Sequence, residues 1–138
     1  MSDLMRVSFT IERSLYEELE KLLATTRYEN RSEFIRDLVR ERIVRDSWRR
    51  NEEAVGTITM VYDHHQRDLS HTITHVQHEH HDAILATTHV HLTHELCVEM
   101  IMVRGLATTI DALADELRSH KGVLHVSVSM SSTGKRLH

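Results

Sequence analysis

The chain reads MRVSFTI over residues 5–11, a strict alternation of apolar and polar side chains. Met5, Val7, Phe9 and Ile11 share one side, which predicts a single half-buried strand. A lone strand leaves two unpaired edges, so we expect two copies of the chain to pair their strands antiparallel into a ribbon.

Two helices are predicted to follow this strand. Ser14 and Glu17 have the spacing of a capping box that would open a helix ending near Thr25, and Asn30 with Glu33 would open a longer one. The second helix is expected to end at about residue 46. A strand and two helices in residues 1–50 can bury little core alone, which again favours a dimer of two βαα units.

The outer side of the predicted ribbon carries Arg6, Ser8 and Thr10, and a two-stranded ribbon fits the major groove of DNA. The whole chain has a net charge of −4. Net charge therefore does not favour DNA, and any such contact must come from a local basic surface on the N-terminal part.

A second domain is predicted after a short linker at residues 51–54. Its elements follow the order βαββαβ, typical of a ferredoxin-like domain with two helices on one face of an antiparallel sheet. The fold class is therefore α+β, with this domain over residues 55–131 and a flexible tail at 132–138. The predicted elements are a strand at 55–62, a helix from Arg67 to His80, strands at 83–92 and 96–103, a helix at 108–120 and a strand at 123–130.

Histidine dominates the second domain, because the chain has 13 histidines and ten of them lie between His64 and His94. The single cysteine, Cys97, cannot form a disulfide within the chain and suits a reducing compartment. With no apolar run long enough to span a membrane and no signal-peptide pattern, we expect a cytoplasmic protein with no membrane partner.

Three of these side chains are predicted to converge. His89 and His91 are two residues apart on one strand and so share a face, while Cys97 follows a turn. If position 91 pairs with position 97, two imidazoles and one thiolate meet. The alternative is that the histidines are partly exposed strand residues and the cysteine is a small core residue.

A fourth donor could come from the helix that carries His71, His75 and His78 at helical spacing. We expect this helix on the far side of the sheet or at its edge, so its histidines could equally serve a neighbouring subunit. Three imidazoles and one thiolate favour Ni(II) or Cu(II) over structural zinc. The remaining histidines are expected to be solvated or to form weak auxiliary sites, among them His64, His65, His80, His81 and His94.

Four segments carry a resemblance to a known family. They are residues 6–11, residues 28–37, the run Gln77-His78-Glu79-His80-His81-Asp82, and His89-Val90-His91 followed by Cys97. In this order they resemble the nickel-responsive regulators of the NikR family, over about Met5 to Met130.

The resemblance implies a homotetramer, a dimer of dimers in which ribbon-helix-helix ends flank a core of four metal-binding domains. It implies one square-planar Ni(II) per protomer, bound by His89, His91 and Cys97 of one protomer and His78 of another. Nickel would then favour binding to a palindromic DNA operator and repress nickel-uptake genes, and no small-molecule substrate is implied.

The resemblance also assigns roles in the DNA-binding part. Arg6, Ser8 and Thr10 match residues that reach base edges. Glu33 and Asp37 match a second, low-affinity cation site, with ordinary surface carboxylates as the alternative. Three residues at the start of the second helix would meet a phosphate or simply cap the helix, namely Asn30, Arg31 and Ser32.

Gln77 and Glu99 are expected to orient the metal ligands by hydrogen bonding. Two alternatives to a nickel-dependent repressor are considered. The first is a regulator that responds to copper, cobalt or zinc, or one that activates transcription. The second is a metal buffer or a metal-dependent hydrolase, but a buffer does not explain Arg6, Ser8 and Thr10, and a hydrolase needs an open coordination position and a general base. We therefore expect a regulator and not an enzyme.

Overall fold

The computed structural model describes residues 3–66 and 68–138, and the chain divides into two compact units. One unit contains the residues up to Ile43 together with Arg136–His138, and the other is Val44–Lys135. Among the described residues, no helix combines the length and the apolar character that crossing a membrane requires.

The first two helices are α1 (Arg13–Thr25) and α2 (Arg31–Arg49). The predicted cap of α2 is confirmed, because the Asn30 side-chain oxygen accepts a hydrogen bond from the Glu33 backbone N–H at 2.9 Å. The predicted capping box at Ser14 is wrong. Helix α1 already begins one residue earlier, and Glu12 at its N-cap makes no side-chain capping bond.

The segment before α1 differs from its predicted form, since residues 3–12 form no strand within the single chain. The physical reason is that a strand requires a hydrogen-bonded neighbour. The predicted inner face is open to solvent, with Met5 81%, Val7 78% and Phe9 60% exposed. Such an apolar row is the pattern expected of a segment that awaits a partner.

The second unit contains the predicted βαββαβ order. Its elements are β1 (Glu53–Asp63), α3 (Leu69–Glu79), β2 (Ile84–His91), β3 (Leu96–Leu106), α4 (Ala107–Arg118) and β4 (Val123–Ser132). The four strands form one antiparallel sheet in the order β2-β3-β1-β4. Strand β1 starts two residues before its predicted start, and Arg67, the predicted start of α3, lies outside the described residues.

One face of this sheet is buried beneath α3 and α4. Strand β1 alternates strictly, so that every second residue from Ala54 to Tyr62 is buried. Cys97 of β3 lies in the same core as Ile73 and Val76 of α3, so this helix packs on the face that carries the cysteine. The expectation that α3 lies on the far side of the sheet is therefore wrong. Helix α4 completes the core with Ile110, Leu113, Ala114 and Leu117.

Candidate metal centre and DNA-binding segment

The hairpin between β2 and β3 aligns His91 with Cys97. The two residues are direct partners across the antiparallel pair, and the Cys97 sulfur lies 3.2 Å from Nδ1 of His91. The Thr93 hydroxyl accepts hydrogen bonds from the backbone N–H groups of Glu95 and Leu96, at 3.2 and 3.0 Å, and so shapes the turn. The predicted pairing of positions 91 and 97 is confirmed.

A third donor joins this pair from the loop after β1. His64, His91 and Cys97 each offer one ligand atom, and these atoms all lie within 4.8 Å of one another. The sequence analysis expected His64 to be solvated or to form a weak auxiliary site, and the structure places its ring beside His91 and Cys97. The signal was available in the topology, because a central β1 antiparallel to β3 places the residues after Tyr62 beside those before Cys97.

His89 lies beside His91 but has a different partner. The two rings have centroids 5.0 Å apart, and Nδ1 of His89 lies 3.1 Å from the Tyr62 hydroxyl. His89 pairs with Glu99 and His91 with Cys97, so all four share one face of the sheet. His89 is not a member of the three-residue group.

The thiol and the phenol of this region are both buried in the core. Burial raises the pKa of the Cys97 thiol, and the negative charge of Glu99 raises it further. Burial, then the charges of Glu99 and of ionised Cys97, raise the pKa of Tyr62 to about 12. The Tyr62 hydroxyl therefore keeps its proton at neutral pH.

Helix α3 contributes a polar contact beside these donors. The Gln77 amide donates a hydrogen bond to the Glu99 carboxylate at 2.8 Å, which joins the two residues predicted to orient the ligands. His78, the next residue of the helix, is exposed, and it is not among the three clustered donors. Its ring centroid lies 6.2 Å from that of His81.

The donor set fits a transition metal of borderline softness. Two imidazoles and a thiol are already together, and imidazole with thiolate suits Ni(II), Cu(II) or Zn(II) better than Mg(II) or Ca(II). The His89 ring lies beside that of His91, and Glu99, which pairs with His89 across the strands, accepts a hydrogen bond from Gln77. This end of the sheet can therefore hold a metal ion.

In the N-terminal unit, Arg6, Ser8 and Thr10 are all exposed, as are the residues that begin α2. Arg31 is held within this unit, because its Nε donates to Glu20 at 2.6 Å and its Nη2 to the Tyr16 hydroxyl at 3.1 Å. The hydrogen bond from Arg31 also lowers the pKa of Glu20.

The two carboxylates considered for a second cation site have separate partners in the single chain. Glu33 forms an ion pair with Arg36, while Asp37 accepts a hydrogen bond from the Tyr28 hydroxyl and lies 3.8 Å from Arg40. That hydrogen bond raises the pKa of Tyr28.

Comparison with known proteins agrees with this arrangement. Residues 5–46 match the family of CopG-type ribbon-helix-helix proteins, and residues 55–131 match the NikR C-terminal nickel-binding domain. A protein of Syntrophus aciditrophicus, named as a nickel-responsive regulator, is 42% identical over 98% of both chains. One of Geotalea uraniireducens with the same name is 45% identical over the full length of both.

Among solved structures, an uncharacterized protein from Thermotoga maritima is similar in fold. It superposes with a TM-score of 0.52 at 19% identity and covers 57% of this chain and 98% of its own. This likeness concerns the fold alone. The sequence matches extend over both units, and the chain therefore belongs to the NikR family of nickel-responsive, ribbon-helix-helix regulators.

Proposed function

We propose that this chain regulates transcription by binding double-stranded DNA in response to Ni(II), as a homotetramer with one metal ion per protomer. The observation that carries the proposal is the 3.2 Å contact between the Cys97 sulfur and Nδ1 of His91. A thiol aligned with an imidazole across a hairpin is half of a soft-donor site, and it stands in a chain whose other unit is a DNA-binding fold.

The proposed ligands are His89, His91 and Cys97 of one protomer with the partner subunit's His78. Exposure of His78 on α3 supports this assignment, because a histidine outside its own cluster is free to reach another chain. When bound, Ni(II) would supply a divalent centre that links donors of two subunits. Metal occupancy would then be coupled to quaternary arrangement.

Two exposed apolar surfaces could support the proposed homotetramer. The face of the sheet that the helices leave uncovered carries apolar side chains, with Val90 44%, Met100 42% and Met102 46% exposed. In the N-terminal segment, Met5, Val7 and Phe9 form a second exposed apolar row. Burial of the uncovered face of the sheet would join the metal-binding domains, and burial of the apolar row in the N-terminal segment would pair the ribbons.

On the DNA side, Arg6, Ser8 and Thr10 would face the bases from the ribbon, with Arg6 suited to a guanine. Asn30, Arg31 and Ser32 would meet a phosphate, since the first amides of α2 favour an anion. Glu33 and Asp37 would form the second cation site only after leaving their present partners.

The test measures operator affinity with and without Ni(II) for the wild type and Cys97→Ala, in a single salt concentration. We expect tighter binding with nickel in the wild type, and loss of both this gain and the thiolate charge-transfer absorption in the variant. Equal affinity in both states of the wild type would overturn the proposal. Competition with Cu(II), Co(II) and Zn(II) decides the metal, and reporter expression distinguishes repression from activation.

A further inference from the structure

The last turn of α2 belongs to the metal-binding unit. Helix α2 is continuous from Arg31 to Arg49, and the boundary between the two compact units falls inside it, after Ile43. Trp48, near the end of the helix, packs against the hydrophobic core of the second unit, and its indole N–H donates to the Ser131 carbonyl of β4 at 3.1 Å. The helix that begins in the DNA-binding unit therefore ends as part of the other unit.

Asn51 terminates this helix. Its backbone has a φ of 56°, in the left-handed region that favours glycine and that asparagine also adopts. The backbone N–H of Asn51 donates to the Trp48 carbonyl at 3.0 Å, and that of Glu52 donates to the Ser47 carbonyl at 2.9 Å. These two bonds form a Schellman motif, which satisfies carbonyls that the end of a helix leaves without partners. Asn51 thus fixes the point at which the chain leaves α2.

The side chain of Asn51 also caps α4. Leu106, at the N-cap of α4, has no polar side chain and makes no capping bond. Instead, Oδ1 of Asn51 accepts hydrogen bonds from the backbone N–H and from the hydroxyl of Thr108, both at 3.0 Å. This N–H is one of the donors that the first turn of a helix leaves without an intrahelical partner. One residue therefore ends α2 with its backbone and caps α4 with its side chain.

We propose that Trp48 and Asn51 are positioning residues that couple nickel occupancy to the DNA-binding helix. This inference rests on the proposed nickel-dependent function. Helix α4 shares one core with Cys97 and with α3, the helix that carries His78, so a rearrangement of these donors reaches α4 through packed side chains. The contacts of Asn51 with Thr108 and of Trp48 with β4, together called the joint, then pass it to the last turn of α2. Neither residue is among the proposed metal or DNA contacts, so metal affinity and coupling are separable.

The test uses the full-length protein and measures two quantities for each variant. One is nickel affinity, by competition with a chelator, and the other is the gain in operator affinity when nickel is added. Asn51→Gly keeps the left-handed backbone but removes Oδ1, whereas Asn51→Asp keeps an oxygen that accepts from Thr108. We expect Asn51→Gly to reduce the gain by about twofold to thirtyfold at unchanged nickel affinity, the range for changes within a coupling network. Asn51→Asp should restore the wild-type gain.

Trp48→Phe tests the other half of the joint. It keeps an aromatic ring for the core and removes the indole N–H that meets the Ser131 carbonyl, so we expect a smaller gain here too, at unchanged nickel affinity. Trp48 is also the only tryptophan of the chain, and its fluorescence reports on the joint itself. In Asn51→Gly the emission should shift to longer wavelength as the ring becomes more exposed to water. An emission identical to that of the wild type would show that Asn51 does not hold this turn.

Ile58→Val is the control for a general loss of stability. It removes one buried methylene group and costs about as much stability as a lost helix cap, while it leaves the joint intact. Its gain with nickel should equal that of the wild type. A full gain in Asn51→Gly or in Trp48→Phe overturns the role of that residue, and an equal loss in Ile58→Val contradicts both roles. If the wild type shows no gain with nickel, the proposed function itself fails.

Discussion

The Tyr62 hydroxyl lies 3.1 Å from Nδ1 of His89, and Tyr62 of β1 is also the cross-strand partner of Cys97 in β3. Burial and nearby negative charge keep the phenol protonated, with a pKa of about 12. The same tyrosine therefore packs against the thiol-bearing strand and contacts one proposed ligand. Its hydroxyl therefore orients the His89 ring.

Tyr62→Phe keeps the buried ring and removes only this contact. Because a ligand that loses its outer hydrogen bond is less well oriented, we expect nickel affinity to fall by about tenfold to a hundredfold. Affinity is measured by competition with a chelator of known strength. Tyr16→Phe, in the other unit, is the control and should bind nickel as the wild type does. Unchanged affinity in Tyr62→Phe would show that the hydroxyl does not position His89.

The buried thiol predicts a pH dependence of nickel binding. The metal requires a thiolate, while burial and Glu99 raise the pKa of Cys97 and so favour the protonated form. Binding must displace that proton. We expect affinity to rise by about tenfold per pH unit for as long as the thiol is protonated in the free protein.

The direction of the Cys97 pKa shift can be checked in metal-free protein through the pH dependence of its stability. A thiol with a raised pKa stays protonated in the folded state while the unfolded chain ionises, so the free energy of unfolding should fall as pH rises above the ordinary cysteine pKa. Cys97→Ser, whose hydroxyl does not ionise in this range, is the control. Proton release on nickel binding can be measured by calorimetry in two buffers of different ionisation enthalpy. A nickel affinity independent of pH, with no proton release, would contradict the assignment of Cys97 as a thiolate ligand.

The order of elements and the alignment of His91 with Cys97 could be predicted because both are local. The alternation of β1 and the helical spacing of α4 follow from which side of each element is buried, so each can be recognised within its own residues. The short turn between β2 and β3 fixes the register of that hairpin. The capping role of Asn30 was equally local. The prediction at Ser14 failed because α1 begins at Arg13 with no side-chain capping bond from Glu12, so capping chemistry does not set this boundary.

Local spacing in the sequence could not predict that His64 lies with His91 and Cys97. The position of His64 depends on β1 lying between β3 and β4, a non-local arrangement that places a loop against a hairpin about thirty residues further along the chain. The proposed partner of His78 is equally beyond local spacing, since it would lie in another subunit. Residues 5–11 show the same limit, because a strand there would need a second chain to pair with.

The core makes a prediction about stability. Ile58 is completely buried in β1 beneath the helices. Ile58→Ala should lower the free energy of unfolding by about 2–5 kcal/mol, through lost burial and the cavity left behind. Chemical denaturation of metal-free protein measures it, with the exposed Thr74→Ala as a control that should change it by about 0.5 kcal/mol or less. A loss below that of the control would contradict the packing of β1.

If Arg31 meets a phosphate as proposed, its ion pair with Glu20 would compete with DNA for the same guanidinium. Nε of Arg31 donates to the Glu20 carboxylate at 2.6 Å, so a phosphate must displace this partner or share the remaining N–H groups. Glu20→Gln removes the competing charge. We expect tighter operator binding and a steeper dependence of the affinity on salt, by about one unit in the slope if one more phosphate is neutralised. Fluorescence anisotropy at several salt concentrations measures both quantities.

The exposed pair of Lys21 with Glu18 supplies the control, because Glu18→Gln removes the same charge without freeing Arg31. If the two variants change affinity and slope equally, the effect is general electrostatics and Arg31 has no phosphate of its own.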